Sequence, residues 1–130
     1  VTAFGTDGFL TYGSGTGEYT DILADNEAGK LYASISLNGN KTAIAKYDLS
    51  DGSLVTSFGT DGMVSSAALA IEISFNAIVL HTENNRLTAF GEYRHADGDL
   101  DMCALRISST DGAIDNTFGV NGWSYLRSAG

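Results

Sequence analysis

The sequence predicts an all-β chain built from repeated units, and three observations carry that prediction. A short aromatic-glycine stretch occurs three times, as Phe4-Gly-Thr-Asp-Gly8, Phe58-Gly-Thr-Asp-Gly62 and Phe118-Gly-Val-Asn-Gly122. The copies start 54 residues apart (4 to 58) and then 60 apart (58 to 118), a recurrence typical of repeat architectures. Between them lie β-prone runs, several with period-two alternation, and 16 glycines with no proline provide turns between many short elements.

Each copy of the stretch reads as a tight turn. Glycine accepts positive φ without steric cost, and an Asp or Asn just before the second glycine bonds its own backbone. The phenylalanine is expected to be an anchor, buried where one unit meets the next.

The elements follow in order. Gly8 to Tyr12 is expected to be a short strand, and Gly13 to Gly17 a flexible connection without the helix and Lys-Ser/Thr of a phosphate-binding loop. Thr20 to Asp25 and Lys30 to Leu37 form a hairpin through Asn26-Glu-Ala-Gly29, with Gly29 where the turn wants positive φ. After Asn38-Gly-Asn40, the run Thr42 to Asp48 alternates Ala43, Ala45 and Tyr47 against Ile44, Lys46 and Asp48. Ser50-Asp-Gly-Ser53 closes the unit.

The second pass keeps this order. Met63 to Ser66 is a strand, and Leu69 to Asn76 mostly alternates, favouring strand over helix. Ala77 to Thr82 and Arg86 to His95 flank Glu83-Asn-Asn85, with Asn85 where Gly29 stood. Asp101 to Ser109 lies over Lys41 to Leu49, and Thr110-Asp-Gly-Ala113 over Ser50-Asp-Gly-Ser53. Insertions fall between strands, as they do in true repeats. The chain is read as one repeat domain, 1–130, with unit one at about 4–57, unit two at about 58–117 and a partial third unit at 118–130. Trp123 to Arg127 begins that third unit as an extra C-terminal strand.

Composition narrows the function. Seven basic against 16 acidic residues leave a formal charge of −9, a surface that repels phosphate backbones and excludes nucleic acid. No signal pattern and no apolar run of membrane-crossing length is present, so no membrane insertion is expected. The single cysteine, Cys103, reads as a small buried apolar residue.

The motifs Ser57-Phe-Gly-Thr-Asp-Gly-Met-Val64, Ala28-Gly-Lys30 and Ala43-Ile-Ala-Lys-Tyr-Asp-Leu-Ser-Asp-Gly-Ser53 resemble the delta-sixty repeat family of bacterial proteins. Cys103-Ala-Leu-Arg-Ile107 and Asp111-Gly-Ala113 extend the likeness into the second unit, so that it covers nearly the whole chain. The hairpin lacks the family's usual proline, and Asn84-Asn85-Arg86 replaces the second "DGK". The resemblance implies β-propeller-type repeats, each giving a four-stranded blade, hence two blades per chain plus the extra strand.

Blades pack on both faces, and roughly four to eight close a ring. Two alone expose apolar surface, so the chain is either a piece of a larger propeller or closes a ring with its own copies. A cyclic homo-oligomer is favoured, a trimer first. Two packed β-layers within one chain are the alternative.

Catalysis needs a positioned base, acid or nucleophile, and no motif provides one; no enzyme activity and no cofactor are expected. His81 is read as a hydrogen-bonded structural residue and His95 as a solvated one opening a polar loop. Asp97, Asp99 and Asp101 alternate in a run resembling a calcium loop, a weak metal candidate beside the reading as a solvated acidic turn. Tyr12, Tyr19, Tyr93, Trp123 and Tyr125 lie near strand ends, where exposed aromatics stack on sugars or anchor a partner and buried ones pack between units. Tyr93, Arg94, His95, Trp123 and Tyr125 are the candidate ligand contacts. The expected function is a non-enzymatic adhesion module at a bacterial cell surface or outside the cell. It would be the recognition tip of an oligomeric fibre that engages a glycan or protein, and the alternative is a structural repeat segment without a ligand site.

Overall fold

Period-two runs bracketed by left-handed turn residues become eight strands among the described residues: β1 (Gly17–Asp25), β2 (Lys30–Leu37), β3 (Lys41–Asp48), β4 (Met63–Ser65), β5 (Ile73–His81), β6 (Arg86–Arg94), β7 (Leu100–Ser108) and β8 (Trp123–Leu126). The computed structural model describes residues 4–5, 8–10, 17–66 and 72–127. The strands form two four-stranded antiparallel sheets, ordered β1-β2-β3-β4 and β5-β6-β7-β8. The one described helix is the short 3₁₀ turn Thr82–Asn84. The chain is all-β.

The turns take the backbone their residues favour. Gly29 and Asn85 sit at φ 63° and 54° in equivalent hairpins. In the recurrent stretch Gly59 and Asp61 lie at 58° and 51°, and Gly119 and Asn121 at 52° each. Closing that turn brings the chain back against the preceding strand. Lys46 N–H donates to Gly62 O (3.1 Å), and Arg106 N–H repeats the bond to Gly122 O (3.0 Å).

This return corrects the expected place of the C-terminal strand. β8 is not an extra strand beside two complete four-stranded sheets. It pairs with β7 as the fourth strand of sheet two, Leu105 opposite Trp123 and Cys103 opposite Tyr125, as β4 does with β3 in sheet one. Of the N-terminal counterpart, Phe9 makes only an isolated bridge, and Thr11, Tyr12 and residues 13–16 lie outside the described residues.

A second difference concerns β5. The runs read as Leu69 to Asn76 and Ala77 to Thr82 merge into one strand from Ile73, with a register shift between Phe75 and Ala77; Leu69 and Ile71 lie outside the described residues. β1 carries the same irregularity between Tyr19 and Asp21, and the two bulges meet. Thr20 Oγ1 donates to Phe75 O (2.8 Å), and Ile78 N–H donates to Asp21 Oδ2 (2.9 Å).

The main core lies between the sheets. Tyr32 and Ile44 of sheet one and Phe58 of the second turn meet Ile73, Phe75, Ile78, Leu87, Ala89, Cys103, Leu105 and Ile107. Phe58 is fully buried, with the Tyr32 ring edge-on at 6.2 Å. Lys46 Nζ, beside both rings, donates across the junction to Ser109 O (2.8 Å) and Thr110 O (3.2 Å). Phe4 and Phe118 are half-buried, so the expected anchor is complete where two units meet. The alternation read for β3 holds: Ile44 belongs to the main core, while Ala45 and Tyr47 join Ala33 and Ile35 in a second cluster with Leu10 and Tyr19 packed against it.

Candidate ligand-contact site

β8 is short, so its alternation is easily followed: Trp123 and Tyr125 face one way, Ser124 and Leu126 the other. Register sets Tyr93 opposite Asp101, and Cys103 between Gly91 and Tyr125. Gly91 has no room for a side chain, since a Cβ there would lie 1.9 Å from Ser74 O. Beside it the aromatics close up.

A stack runs from the core outward. Phe75 and Trp123 are stacked at 6.4 Å, and Trp123 and Tyr125 at 6.0 Å. Tyr93 meets Tyr125 edge-on at 5.8 Å, and the His95 ring meets Tyr93 edge-on at 4.7 Å. Tyr125 ends the stack half-exposed. Its hydroxyl titrates higher than an ordinary tyrosine, first through burial and then through the neighbouring Cys103 and Tyr93.

The border of this cluster is polar. His95 Nε2 lies 2.8 Å from Asp101 Oδ2, and Arg127 Nε lies 3.9 Å from the same oxygen. The Asp101 carboxylate is largely buried, whereas Arg127 reaches into solvent. His95 is therefore tied down by a carboxylate rather than freely solvated as its polar loop suggested. His81 is bonded to Thr88 Oγ1 at 3.2 Å, as a structural histidine would be.

Four of the five candidate contact residues, Tyr93, His95, Trp123 and Tyr125, thus share one patch. Arg94 does not join them. Period two turns it to the opposite face, where it lines a small cleft with Glu72, Glu92 and Leu100. The three aspartates do not converge either: Asp97 Oδ1 accepts from the Asp99 N–H (3.1 Å), and Asp101 faces His95. Among the described residues no cluster of three His, Cys, Asp or Glu side chains is placed to hold a metal. A wider shallow cleft of about 380 Å³ at the end of β1 and β2 is lined by Gly17, Glu18, Ser36, Leu37 and Asn38.

Phe75 and Arg127 join the patch without any local motif that marks them, and Asp101, expected only as a weak metal ligand, borders it. The β6–β7 hairpin was the available signal, since it returns Asp101 beside Tyr93. Cys103 lies beneath the patch, and burial, with Glu92 nearby, pushes its thiol up to about 11. No helix among the described residues is long and apolar enough to cross a membrane. Set against known proteins, the chain matches no family model, no curated protein and no solved structure. The likeness to delta-sixty repeats therefore rests on the motif residues quoted for it.

Proposed function

We propose that this chain is a non-enzymatic binding module of a bacterial surface, with propeller-type sheets and a ring completed by copies of itself. Three copies of two sheets each fall within the roughly four to eight blades that close a ring. Tyr93, His95, Trp123 and Tyr125 engage the ligand. The observation that supports this reading is the aromatic stack ending in half-exposed Tyr125, bordered by the His95, Asp101 and Arg127 group. A flat ring next to fixed donors and acceptors suits a saccharide, whose C–H face stacks while its hydroxyls bond. A glycan comes first and a protein side chain second.

The chain's single tryptophan, Trp123, lies inside the patch and is its own reporter. A glycan array followed by fluorescence titration should give a saturable change, lost in Tyr125→Ala. Silence across sugars would reject the glycan. A change that survives Tyr125→Ala would place binding elsewhere.

A second reading, a structural segment of a larger propeller with no ligand of its own, is favoured by the apolar outer face of sheet two, where Phe90, Met102 and Leu126 are exposed.

A further inference from the structure

The junction between the two sheets serves as a template for what lies beyond sheet two. The recurrence aligns Leu23, Ser34, Thr42 and Ser66 with Val79, Phe90, Met102 and Leu126. At the junction Ser34, Thr42 and Ser66 are 0%, 0% and 2% exposed, and Leu23 packs against the core. Their counterparts on the outer face of sheet two are larger and exposed: Val79 44%, Phe90 43%, Met102 65% and Leu126 67%. The opposite side of sheet one is also incomplete. Ile22 is 50% exposed, whereas its counterpart Ile78, inside the junction, is 5%.

Polar groups repeat the pattern. Lys46 spans the junction to two carbonyls, but its counterpart Arg106 folds over the Phe118 ring (4.3 Å), with a buried Nε that has no hydrogen-bond partner. Asp115 forms an ion pair with that group at 3.3 Å. Gly5 N–H donates to Asp51 O and Gly59 N–H to Asp111 O, each at 2.7 Å. The equivalent Gly119 N–H meets no such acceptor among the described residues.

We propose that a second copy of this chain packs head to tail, its first sheet on the outer face of sheet two. In that contact the Phe118–Gly122 turn takes the partner's Asp51–Gly52 seat, which the partner's own Gly5, bonded there in the single chain, must leave. This rests on the ring reading above. The seat admits one turn: even a Cβ on Gly52 would lie 2.9 Å from Gly5 N. The C-terminal turn prevails because it runs into β8, held to β7 over four residue pairs, whereas the described N-terminal residues are held through the Gly5 bond and Leu10 packing. Arg106 then reaches the partner's Leu49 and Ser50 carbonyls, the counterparts of Ser109 and Thr110.

Sedimentation velocity across a concentration series tests this on the full chain, with Met102→Lys, Val79→Lys and Gly5→Ala variants whose thermal melts are recorded alongside. The wild type should associate head to tail. Each lysine, exposed in the single chain, should weaken association roughly a hundredfold by burying an unpaired charge. Gly5→Ala strains the competing turn, at φ 57° with its Cβ 2.1 Å from Phe9 O, and should strengthen association by about tenfold. Association that both lysines leave unchanged would overturn the interface while sparing the ring. A Gly5→Ala variant no tighter than the wild type would overturn the exchange. Single subunits throughout would overturn both this proposal and the ring.

Discussion

The amide of Gly59 donates to the carbonyl of Asp111 at 2.7 Å and so seats the second turn on the loop that closes unit two. Gly112 beside it must lack a side chain, because a Cβ there would lie 2.9 Å from Gly59 N and 2.7 Å from Val64 Cγ2. That close approach joins the sheets and sets the cost of changes near it.

Gly112→Ala should therefore destabilise by about 2–4 kcal/mol, combining left-handed strain with overpacking against backbone. Gly98, at φ 95° with open space around it, is the control. Gly98→Ala carries the strain alone, about 1–2 kcal/mol. Urea midpoints of the two variants give the comparison.

Phe58 and Phe118 hold the same place in successive turns, but only Phe58 lies under a neighbouring sheet. Phe58→Ala leaves a cavity in the core and should cost about 3–5 kcal/mol. Phe118→Ala removes a half-buried ring beneath Arg106 and should cost less than half of that. Equal losses in chemical denaturation would contradict the assignment of Phe58 as the junction anchor.

Acid should loosen the fold through the turn carboxylates. Hydrogen bonds from Lys30 and then Ser50 hold the Asp48 carboxyl far below its ordinary 3.8. Asp51 is lowered by the Ser53 amide and hydroxyl, Asp111 by the Ala113 amide and Ser108, and Asp115 chiefly by the Thr117 hydroxyl. In each case the folded state binds its proton more weakly than the unfolded chain does. The stability is present above about pH 4 and is lost as pH falls through the folded values. Denaturation midpoints measured down to about pH 2 should drop, and Asp48→Asn should flatten that slope.

Cys103 should be silent to thiol reagents at neutral pH in the folded protein, because it is buried and its thiol titrates at about 11. Labelling should follow unfolding by denaturant. Rapid labelling of the native chain would contradict the packing beneath Tyr125.

Much of this architecture was legible because local chemistry determined it. Gly29 and Asn85 mark their hairpins through the φ they tolerate, and the Lys30 to Leu37 strand has the bounds its residues suggest. The bulge at Asn76 was not legible: one extra residue moves the inward pattern from Ile73 and Phe75 to Ile78 and Leu80, which divides a continuous strand into two apparent runs. The return of β4 and β8 to the preceding sheet is a long-range pairing that no local pattern encodes. At the candidate site, period two put Tyr93 and His95 on one face and Trp123 and Tyr125 on another strand. That these faces meet, and that Asp101 turns to His95 rather than toward Asp97 and Asp99, follows from strand register.

Sedimentation equilibrium, taken from high dilution upward, is the decisive experiment on the proposed packing of a second copy's sheet one against the outer face of sheet two. The mass should climb with concentration in multiples of 13.6 kDa. A compact particle that stays at 13.6 kDa at every concentration would contradict it.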